Sequence, residues 1–273
     1  MDEITAEYSV AELTTPVELR LRPHLTVGCK TDLGRVRENN EDKFEFYFAD
    51  DDGQLASKGH VFVVCDGMGG HAAGQIASEI AAKTFIDVYL NHPSQEIETA
   101  LRSAVGAANR FVFDVQSTVP SRKGMGTTLS AIAVIQDRVF VAHVGDSRVY
   151  RLRNGELIQL TSDHTWVEEA LRSGMIQPEE VSTHPYRHVL NRAIGTEPNV
   201  EVDVFAQDLQ EGDIYLLCSD GLINHVDDPT IGAILAANRP SRAAWQLVMA
   251  ALTGGGSDNC TVVIVSADQL EPQ

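Results

Sequence analysis

The sequence predicts a single α+β domain built from antiparallel strands and packed helices, and three observations support that prediction. Two helical patterns follow one another at 73–90 and 97–116, with Pro93 between them, as in an antiparallel helix pair that covers a sheet. Short β-rich runs succeed one another from 127 to 160, as in an antiparallel meander. Strand and helix patterns then return between 214 and 265. The 273 residues suffice for a sizeable core, although length alone does not distinguish one large domain from two small ones.

The individual elements follow from local pattern. We expect a first strand at 25–29, after an extension over residues 1–24 with little periodicity. Later strands are expected at 44–49, 61–65, 127–135, 139–144, 149–152, 157–160, 214–218 and 261–265, and later helices at 230–238 and 241–252. Asn154-Gly155 predicts a hairpin. Residues 164–195 are polar and poor in helical pattern, which indicates an excursion from the core. The domain is therefore expected to span 25–267, with 268–273 as a C-terminal tail.

The composition is that of an ordinary globular protein, with 43% hydrophobic and 22% charged residues. No apolar run approaches the roughly 18 to 20 residues that span a bilayer, and the acidic N-terminus does not resemble a secretion signal, so we expect a cytoplasmic protein. The net charge of −18 disfavours general adhesion to nucleic acid or to an anionic membrane. Cations or discrete protein partners fit better, although acidity also serves solubility and supports a metal site only weakly.

The cysteines occur singly, without a C-x-x-C pair that would indicate zinc or redox chemistry. They are Cys29, Cys65, Cys218 and Cys260. We interpret all of them as reduced core residues. Because Cys65 adjoins Asp66, a nucleophilic thiol is the alternative, but a small buried hydrophobic residue is the preferred interpretation.

Four aspartates lie at the ends of predicted strands. Asp66 and Asp220 each follow a strand, Asp146 follows the strand at 139–144, and Asp258 precedes the last strand. Two packed sheets would bring such residues together. Carboxylates at the rim of an apolar core repel one another and lose hydration, so they require cations, hydrogen bonds or a raised pKa. Mg²⁺ and Mn²⁺ meet that requirement because they prefer oxygen ligands.

Two alternatives compete with a metal site. An isolated Asp-Gly is most often a hairpin turn, but neither Asp66-Gly67 nor Asp220-Gly221 is followed by the second strand that a hairpin requires. The turn at 67–74 matches the G-x-G-x-x-A fingerprint of a nucleotide-binding oxidoreductase. That interpretation is the weaker one, because Asp66 would repel the pyrophosphate. The glycines instead let the backbone approach a metal-bound water or phosphate, with the Gly67 carbonyl free to act as a ligand.

Six short segments, in this order, carry a resemblance to a known family. They are RENNED at 37–42, DGMGGH at 66–71, GMGTT at 124–128, VGDSR at 144–148, SDGL at 219–222 and SDNCT at 257–261. Together they resemble the bacterial branch of the type 2C metal-dependent protein serine/threonine phosphatases, from about residue 26 to 265. This resemblance implies a four-layer α-β-β-α sandwich of two antiparallel sheets flanked by helices, in which residues 164–195 form a flap beside the active site.

The resemblance also implies an activity and a ligand set. The expected reaction is hydrolysis of phosphoserine and phosphothreonine in proteins by a water that two or three Mg²⁺ or Mn²⁺ ions activate, opposing bacterial serine/threonine kinases. Asp66 is expected to bridge two ions, with Asp220 and Asp258 on one of them and the Gly67 carbonyl on the other. Asp146 matches the position that, with Asp220, holds a third ion.

Three further positions follow from the same resemblance. Arg37 matches the phosphate-binding arginine, a role that suits its planar, bidentate donors. Glu41 and Asp42 are expected in or just outside the ligand shell. Many eukaryotic relatives carry a histidine directly after the first Asp-Gly as a candidate general acid, but this chain has Met68 there. His71 is the nearby candidate, yet a histidine at a helix start can equally bond locally or pack, so the proton donor is unassigned, and a metal-bound water is the alternative.

The expected partners are phosphorylated proteins, including a serine/threonine kinase and its substrates, and the chain is expected to be a monomer. A catalytically silent module that binds phosphoproteins is the competing hypothesis. The loss of a metal-binding aspartate would have favoured it, but none is missing from the sequence.

Overall fold

The computed structural model describes residues 17–70, 72–181 and 183–273. Its strands are β1 (Leu21–Asp32), β2 (Lys43–Tyr47), β3 (His60–Cys65), β4 (Gly67–Met68), β5 (Gly126–Thr127), β6 (Leu129–Ile135), β7 (Arg138–Val144), β8 (Arg148–Arg153), β9 (Glu156–Gln159), β10 (Asp203–Asp208), β11 (Ile214–Cys218) and β12 (Cys260–Pro272). Its α-helices are α1 (Asp52–Ser57), α2 (Ala72–Asn91), α3 (Ile97–Thr118), α4 (Trp166–Arg172), α5 (Pro178–Val181), α6 (Asp220–Ile223), α7 (Asp228–Ala237) and α8 (Pro240–Thr253).

The strands form two five-stranded antiparallel sheets. The first has the order β1-β12-β11-β8-β9 and the second β10-β7-β6-β3-β2, while β4 and β5 form a separate short ladder. Helices α2 and α3 pack on the outer face of the second sheet, and α7 and α8 pack on the outer face of the first. A third apolar cluster fills the space between the sheets. The expected four-layer α-β-β-α sandwich is confirmed.

The central strands are buried on both faces, which explains their continuous apolar sequences. In β3, Val63 faces the helices α2 and α3, whereas Phe62 and Val64 face the first sheet. This alternation is the two-residue period of a strand, and each face packs against apolar partners. A continuous apolar run in this protein therefore marks a strand with a layer on either side, not a helix.

One glycine sets the distance between a sheet and its covering helix. A Cβ atom at Gly28 would lie 2.2 Å from the carbonyl carbon of Pro240, the first residue of α8. The start of α8 therefore packs directly on the backbone of β1. Any larger residue at position 28 would push the helix away from the first sheet.

The first and last strands are longer than the sequence predicts. They pair from Leu21 with Pro272 to Asp32 with Cys260, with one shift of register between His24 and Leu25. Residues 21–24 and 268–272, which the sequence analysis assigns to the extension and the tail, thus belong to the first sheet. Sequence pattern detects the apolar run of β12 because that run lies in the core, whereas within 268–272 Leu270 packs against the cluster between the sheets and its neighbours are exposed.

Three other expectations need correction. The predicted meander divides at 145–147, because β6 and β7 pair within the second sheet while β8 and β9 pair within the first. The flap contains two short helices, α4 and α5, although its sequence was interpreted as poor in helix. Helices α1 and α6 and strands β4 and β10 have no counterpart among the predicted elements. Apart from these elements, the flap helices and the two long strands β1 and β12, the helices and strands lie within a few residues of their predicted bounds.

The cysteines are all free thiols, as expected. Cys65, Cys218 and Cys260 are buried, but Cys29 is exposed and is not a core residue. Its strand, β1, lies at the edge of the first sheet, where a small apolar side chain need not face the interior. Within the described ranges, no helix has the length and apolarity needed to cross a membrane.

A buried ion pair joins two neighbouring strands of the first sheet. Arg153 ends β8 and donates two hydrogen bonds to Asp213, which precedes β11, at 2.7 and 2.6 Å. The Asp213 side chain is only 1% exposed. Removing the guanidinium would leave a buried carboxylate without its charged partner, which is strongly destabilising.

We therefore expect Arg153→Met to lower the free energy of unfolding by about 3–5 kcal/mol. The matched control is Arg110→Met, which breaks the exposed pair with Asp114 on α3 and should cost less than about 1 kcal/mol. Urea denaturation of both variants measures the difference. If both variants lost the same free energy of unfolding, the buried Arg153–Asp213 pair would contribute no more to stability than an exposed ion pair.

Candidate active site

The four predicted aspartates meet at one end of the sandwich, and each sheet supplies two of them. Asp66 follows β3 and Asp146 follows β7 in the second sheet, whereas Asp220 follows β11 and Asp258 precedes β12 in the first. All four line one cavity of about 870 Å³. Asp146 lies in the turn between β7 and β8, where the chain crosses from the second sheet to the first. This crossing brings Asp146 to the cavity.

The cavity combines an acidic floor with basic and amide groups around it. Its charged and histidine side chains are Arg37, Glu41, Asp66, Asp146, Arg187, His188, Asp220, His225 and Asp258. Its other side chains and backbone segments include Gly67, Met68, Gly69, Gly70, Thr128, Leu190, Asn224, Ser257 and Asn259. The structure therefore brings together most of the predicted site residues. Of the others, Asp42 lies behind the cavity wall, and His71 falls outside the described residues.

The grouping of carboxylates has a large electrostatic cost. Burial raises the pKa of Asp66 well above its usual range, and the other nearby carboxylates add to that rise. They are Asp42, Asp220, Asp146 and Asp258. Burial likewise raises the pKa of Asp146 to about 8 and raises that of Asp220, where the charge of Asp258 is the next cause.

The backbone of Asp66 is fixed by two consecutive threonines, Thr127 at the end of β5 and Thr128 directly before β6. Its N–H donates to Thr128 Oγ1 at 2.9 Å, and its carbonyl accepts from the Thr128 N–H at 2.9 Å and from Thr127 Oγ1 at 2.8 Å. Thr128 Oγ1 also bonds to Ser147 Oγ, beside Asp146. Neutral hydrogen bonds therefore link the backbone of Asp66 to Ser147, the neighbour of Asp146.

The glycines of the 67–74 turn allow Glu41 to approach. The Gly67 N–H donates to the Glu41 carbonyl at 3.2 Å, and a Cβ atom at Gly67 would lie 2.6 Å from that same oxygen. A Cβ atom at Gly74 would lie 2.3 Å from Glu41 Oε2. The backbone of this turn therefore lies close to Glu41, which lines the same cavity as Asp66.

Asn259 fixes the loop that carries Arg37. Its Nδ2 donates to the carbonyls of Leu33 and Asn39 at 2.8 and 3.0 Å, and its Oδ1 accepts from the Glu41 N–H at 2.8 Å. Arg37 lies within this loop, and its Nη2 donates to Asp258 Oδ2 at 2.6 Å. The Arg37 side chain is 52% exposed, so its guanidinium faces the open side of the cavity.

Asp42 supports the floor from behind. It is 2% exposed, and its Oδ2 accepts from Ser219 Oγ at 2.7 Å. Within the described part of the chain, its Oδ1 has no hydrogen-bond donor. Burial raises the Asp42 pKa to about 7, and Ser219 opposes that rise. Asp42 is therefore a buried carboxylate behind Asp220 and Asp258.

Several residues of this site are absent from the sequence-based predictions. Three of them, Thr128, Ser219 and Asn259, lie inside the segments that carry the family resemblance. Their position in those segments could have indicated that they belong to the site. His188 and His225 had no such signal. The ring Nδ1 of His188, in the flap, lies 4.0 Å from Asp220 Oδ2, and His225 bonds to Ser257 Oγ at 2.9 Å.

The donor set fits hard divalent cations. The described ranges contain no group of three or more His, Cys, Asp or Glu side chains that could hold a metal ion. Mg²⁺ and Mn²⁺ do not require such a cage, because they take one or two carboxylates together with carbonyl and water oxygens. The cavity offers carboxylates from both sheets and the backbone of Gly67, and bound cations would offset the repulsion that raises the pKa of Asp66 and Asp146.

Two alternatives from the sequence lose support. Burial raises the pKa of the Cys65 thiol and the nearby carboxylates raise it further, so a thiolate nucleophile is disfavoured. The turn after Asp66 enters β4, which pairs antiparallel with β5. A dinucleotide-binding fold requires a parallel sheet at this point, whereas every strand pair described in the two main sheets is antiparallel.

Comparison with known proteins agrees with this geometry. The family model of protein phosphatase 2C matches residues 35–254. The serine/threonine phosphatase stp of Listeria monocytogenes is 41% identical over 244 residues, which cover 88% of this chain and 94% of the relative. The crystal structure of the serine/threonine phosphatase Stp1 from Staphylococcus aureus has a TM-score of 0.82 at 30% identity, covering 96% of this chain and 99% of that one.

A further solved structure is the catalytic domain of the serine/threonine protein phosphatase PstP in complex with two manganese ions. It has a TM-score of 0.75 at 37% identity and covers 89% of this chain and 97% of that one. The family match extends over most of the chain, and the six segments that carry the resemblance lie within or beside it. The chain belongs to the protein phosphatase 2C family, the metal-dependent phosphatases that its sequence resembles.

Proposed function

We propose that this chain hydrolyses phosphoserine and phosphothreonine in proteins with the help of two or three Mg²⁺ or Mn²⁺ ions. The observation that carries the proposal is the convergence of four aspartates, two from each sheet, on one open cavity that Arg37 borders. The similarity to named bacterial serine/threonine phosphatases supports the substrate class. The two manganese ions of the PstP complex support the choice of metal.

In this proposal the carboxylates hold the cations. Asp66, Asp220, Asp258 and the Gly67 carbonyl would hold two of them. Asp146, together with Asp220, would hold a third. When bound, the cations lower the pKa of a coordinated water and so supply a hydroxide for attack on phosphorus. Asp42 and Glu41 lie behind and beside these ligands and maintain the negative field that attracts the ions.

Arg37 is proposed to bind the phosphate. Its guanidinium is half exposed at the cavity, and Asp258 holds it there through one hydrogen bond, which leaves other N–H donors for phosphoryl oxygens. A planar guanidinium can grip two oxygens at once and offset the charge that develops in phosphoryl transfer. His71 is retained as a candidate donor of the leaving-group proton.

The biological setting is also a proposal. The chain acts on phosphorylated proteins as a monomer in the cytoplasm and opposes a serine/threonine kinase. The support is its net charge of −18, which disfavours nucleic acid and membrane surfaces, together with the phosphatases to which it is similar.

Asp66→Asn tests the metal site, because it removes the charge of the proposed bridging ligand with little change in shape. We expect Mn²⁺-dependent phosphate release from a phosphothreonine peptide to fall by about 10²-fold or more, the scale of losing one central electrostatic contact. Asp87→Asn on the exposed face of α2 is the matched control and should keep wild-type activity. Undiminished release by Asp66→Asn would refute the proposed ligand role.

Arg37→Ala tests phosphate binding. Losing charge-assisted hydrogen bonds of about 1.5–3 kcal/mol should lower kcat/KM for the phosphopeptide by about 10- to 100-fold. Arg37→Lys should recover only part of that loss, since an ammonium cannot grip two oxygens in one plane. The control is Arg35→Ala, an exposed arginine two residues away, for which we expect an unchanged kcat/KM. Equal effects at positions 35 and 37 would indicate general charge attraction.

Metal removal tests the repulsion between the carboxylates. Treatment with EDTA should abolish phosphate release, and added Mn²⁺ should restore it. Mn²⁺ at a hundred times its Kd should also raise the free energy of unfolding by about 2.7 kcal/mol, because cations bind only the folded arrangement. Thermal denaturation with and without Mn²⁺ measures this gain. A melting temperature independent of Mn²⁺, together with full activity in EDTA, would exclude a metal-dependent enzyme.

A further inference from the structure

His164 connects the flap to the turn that carries Asp146. It lies at the start of the flap, is 4% exposed, and bonds twice to Gly145, the residue directly before Asp146. Its backbone N–H donates to the Gly145 carbonyl at 2.7 Å. Its ring Nδ1 accepts from the Gly145 N–H at 3.1 Å. Both backbone polar groups of Gly145 are therefore satisfied by a single flap residue.

The other ring nitrogen is anchored by a carboxylate. Because Nδ1 accepts a hydrogen bond, the proton of the neutral ring lies on Nε2, which donates to Asp203 Oδ2 at 3.1 Å. Burial lowers the pKa of His164, which agrees with a neutral ring. Arg192 donates to the other Asp203 oxygen at 2.8 Å. A continuous chain of hydrogen bonds thus runs from Arg192 through Asp203 and His164 to Gly145.

The same residues close the base of the flap. Arg192 lies near the end of the flap, and the neighbouring Asn191 donates its N–H to the His164 carbonyl at 2.8 Å. Asp203 begins β10, so the two ends of the flap are tied to each other and to the second sheet. The flap base and the turn around Asp146 therefore share one set of polar contacts.

The turn has no room to move on its opposite side. Gly145 has a φ of +112°, and a Cβ atom there would lie 2.6 Å from Thr128 Cγ2. Thr128 in turn binds the backbone of Asp66. The turn before Asp146 is therefore held between Thr128, which supports Asp66, and the ring of His164.

We propose that His164, anchored by Asp203, is a positioning residue that fixes Asp146 for the third divalent cation and couples the flap base to that ion. This inference rests on the proposed metal-dependent function. Groups that orient metal ligands from behind commonly change metal affinity by about 10- to 100-fold. Of the proposed ligands, only Asp146 directly follows Gly145, so we expect the ion that Asp146 holds to be the one whose affinity changes.

Calorimetric titration of the full, metal-stripped chain with Mn²⁺ tests the proposal without any turnover. The variants are His164→Ala, His164→Asn and Asp203→Asn. The control is Glu201→Gln. Glu201 is exposed and lies two residues before Asp203, so this variant removes a nearby carboxylate. Melting temperatures of all variants are measured in parallel, and KM for a phosphopeptide is measured at saturating Mn²⁺.

We expect His164→Ala and Asp203→Asn to raise the Kd of the weakest-bound Mn²⁺ about tenfold or more, while the tighter ions and the KM stay unchanged. His164→Asn should recover part of the affinity, because its Oδ1 can accept from the Gly145 N–H as Nδ1 does. Glu201→Gln should match wild type. If His164→Ala does not fold, Asp203→Asn and His164→Asn decide the question.

Wild-type affinity for every Mn²⁺ in folded Asp203→Asn and His164→Ala would overturn the proposal. So would an equal loss of affinity for all ions accompanied by a lower melting temperature, because that is the signature of a merely structural role. If the proposed phosphatase function is wrong, the wild-type chain releases no phosphate. The Mn²⁺ affinities of the His164 and Asp203 variants can still be compared with wild type in that case.

Discussion

Mutual repulsion among buried carboxylates is the constraint around which this protein is organised. Asp66, Asp146, Asp220 and Asp258 come from four separate strand ends, and no local segment of chain holds any two of them together. Only the packing of two sheets does so. The apolar layer between the sheets therefore provides the free energy that gathers like charges at one end of the sandwich. Divalent cations turn that unfavourable arrangement into a binding site.

The supports of these carboxylates are mostly neutral. Thr128 holds the backbone of Asp66, Ser219 binds Asp42, and Asn259 fixes the loop that carries Arg37. Amides and hydroxyls suit this task because they orient a backbone without adding charge to a site already crowded with it. Arg37 is the exception, since its guanidinium bonds directly to Asp258. These neutral hydrogen bonds hold the site in place, and the carboxylates keep their negative charge for metal binding.

Local patterns in the sequence predicted the strands, the helices and four aspartates at strand ends. The four-layer arrangement and the individual residue roles came from the six segments that resemble a known family. What the sequence could not predict depends on partners distant in the chain. Strand β10 has a half-buried, mixed composition and forms only beside β7. The role of His164 likewise requires Gly145 and Asp203 at once, and nothing in the flap sequence indicates those partners.

The pairing of β1 with β12 has a consequence for how the chain folds. β1 lies at the edge of the first sheet, and its partner in that sheet is β12, more than 200 residues away. During synthesis β1 therefore waits for β12 before its backbone groups are paired. Contacts of such long sequence separation close slowly, because the loop entropy is lost before the contact is gained. Arg37 and Asp258 flank this pairing, so the phosphate-binding corner is expected to be among the last parts of the molecule to assemble.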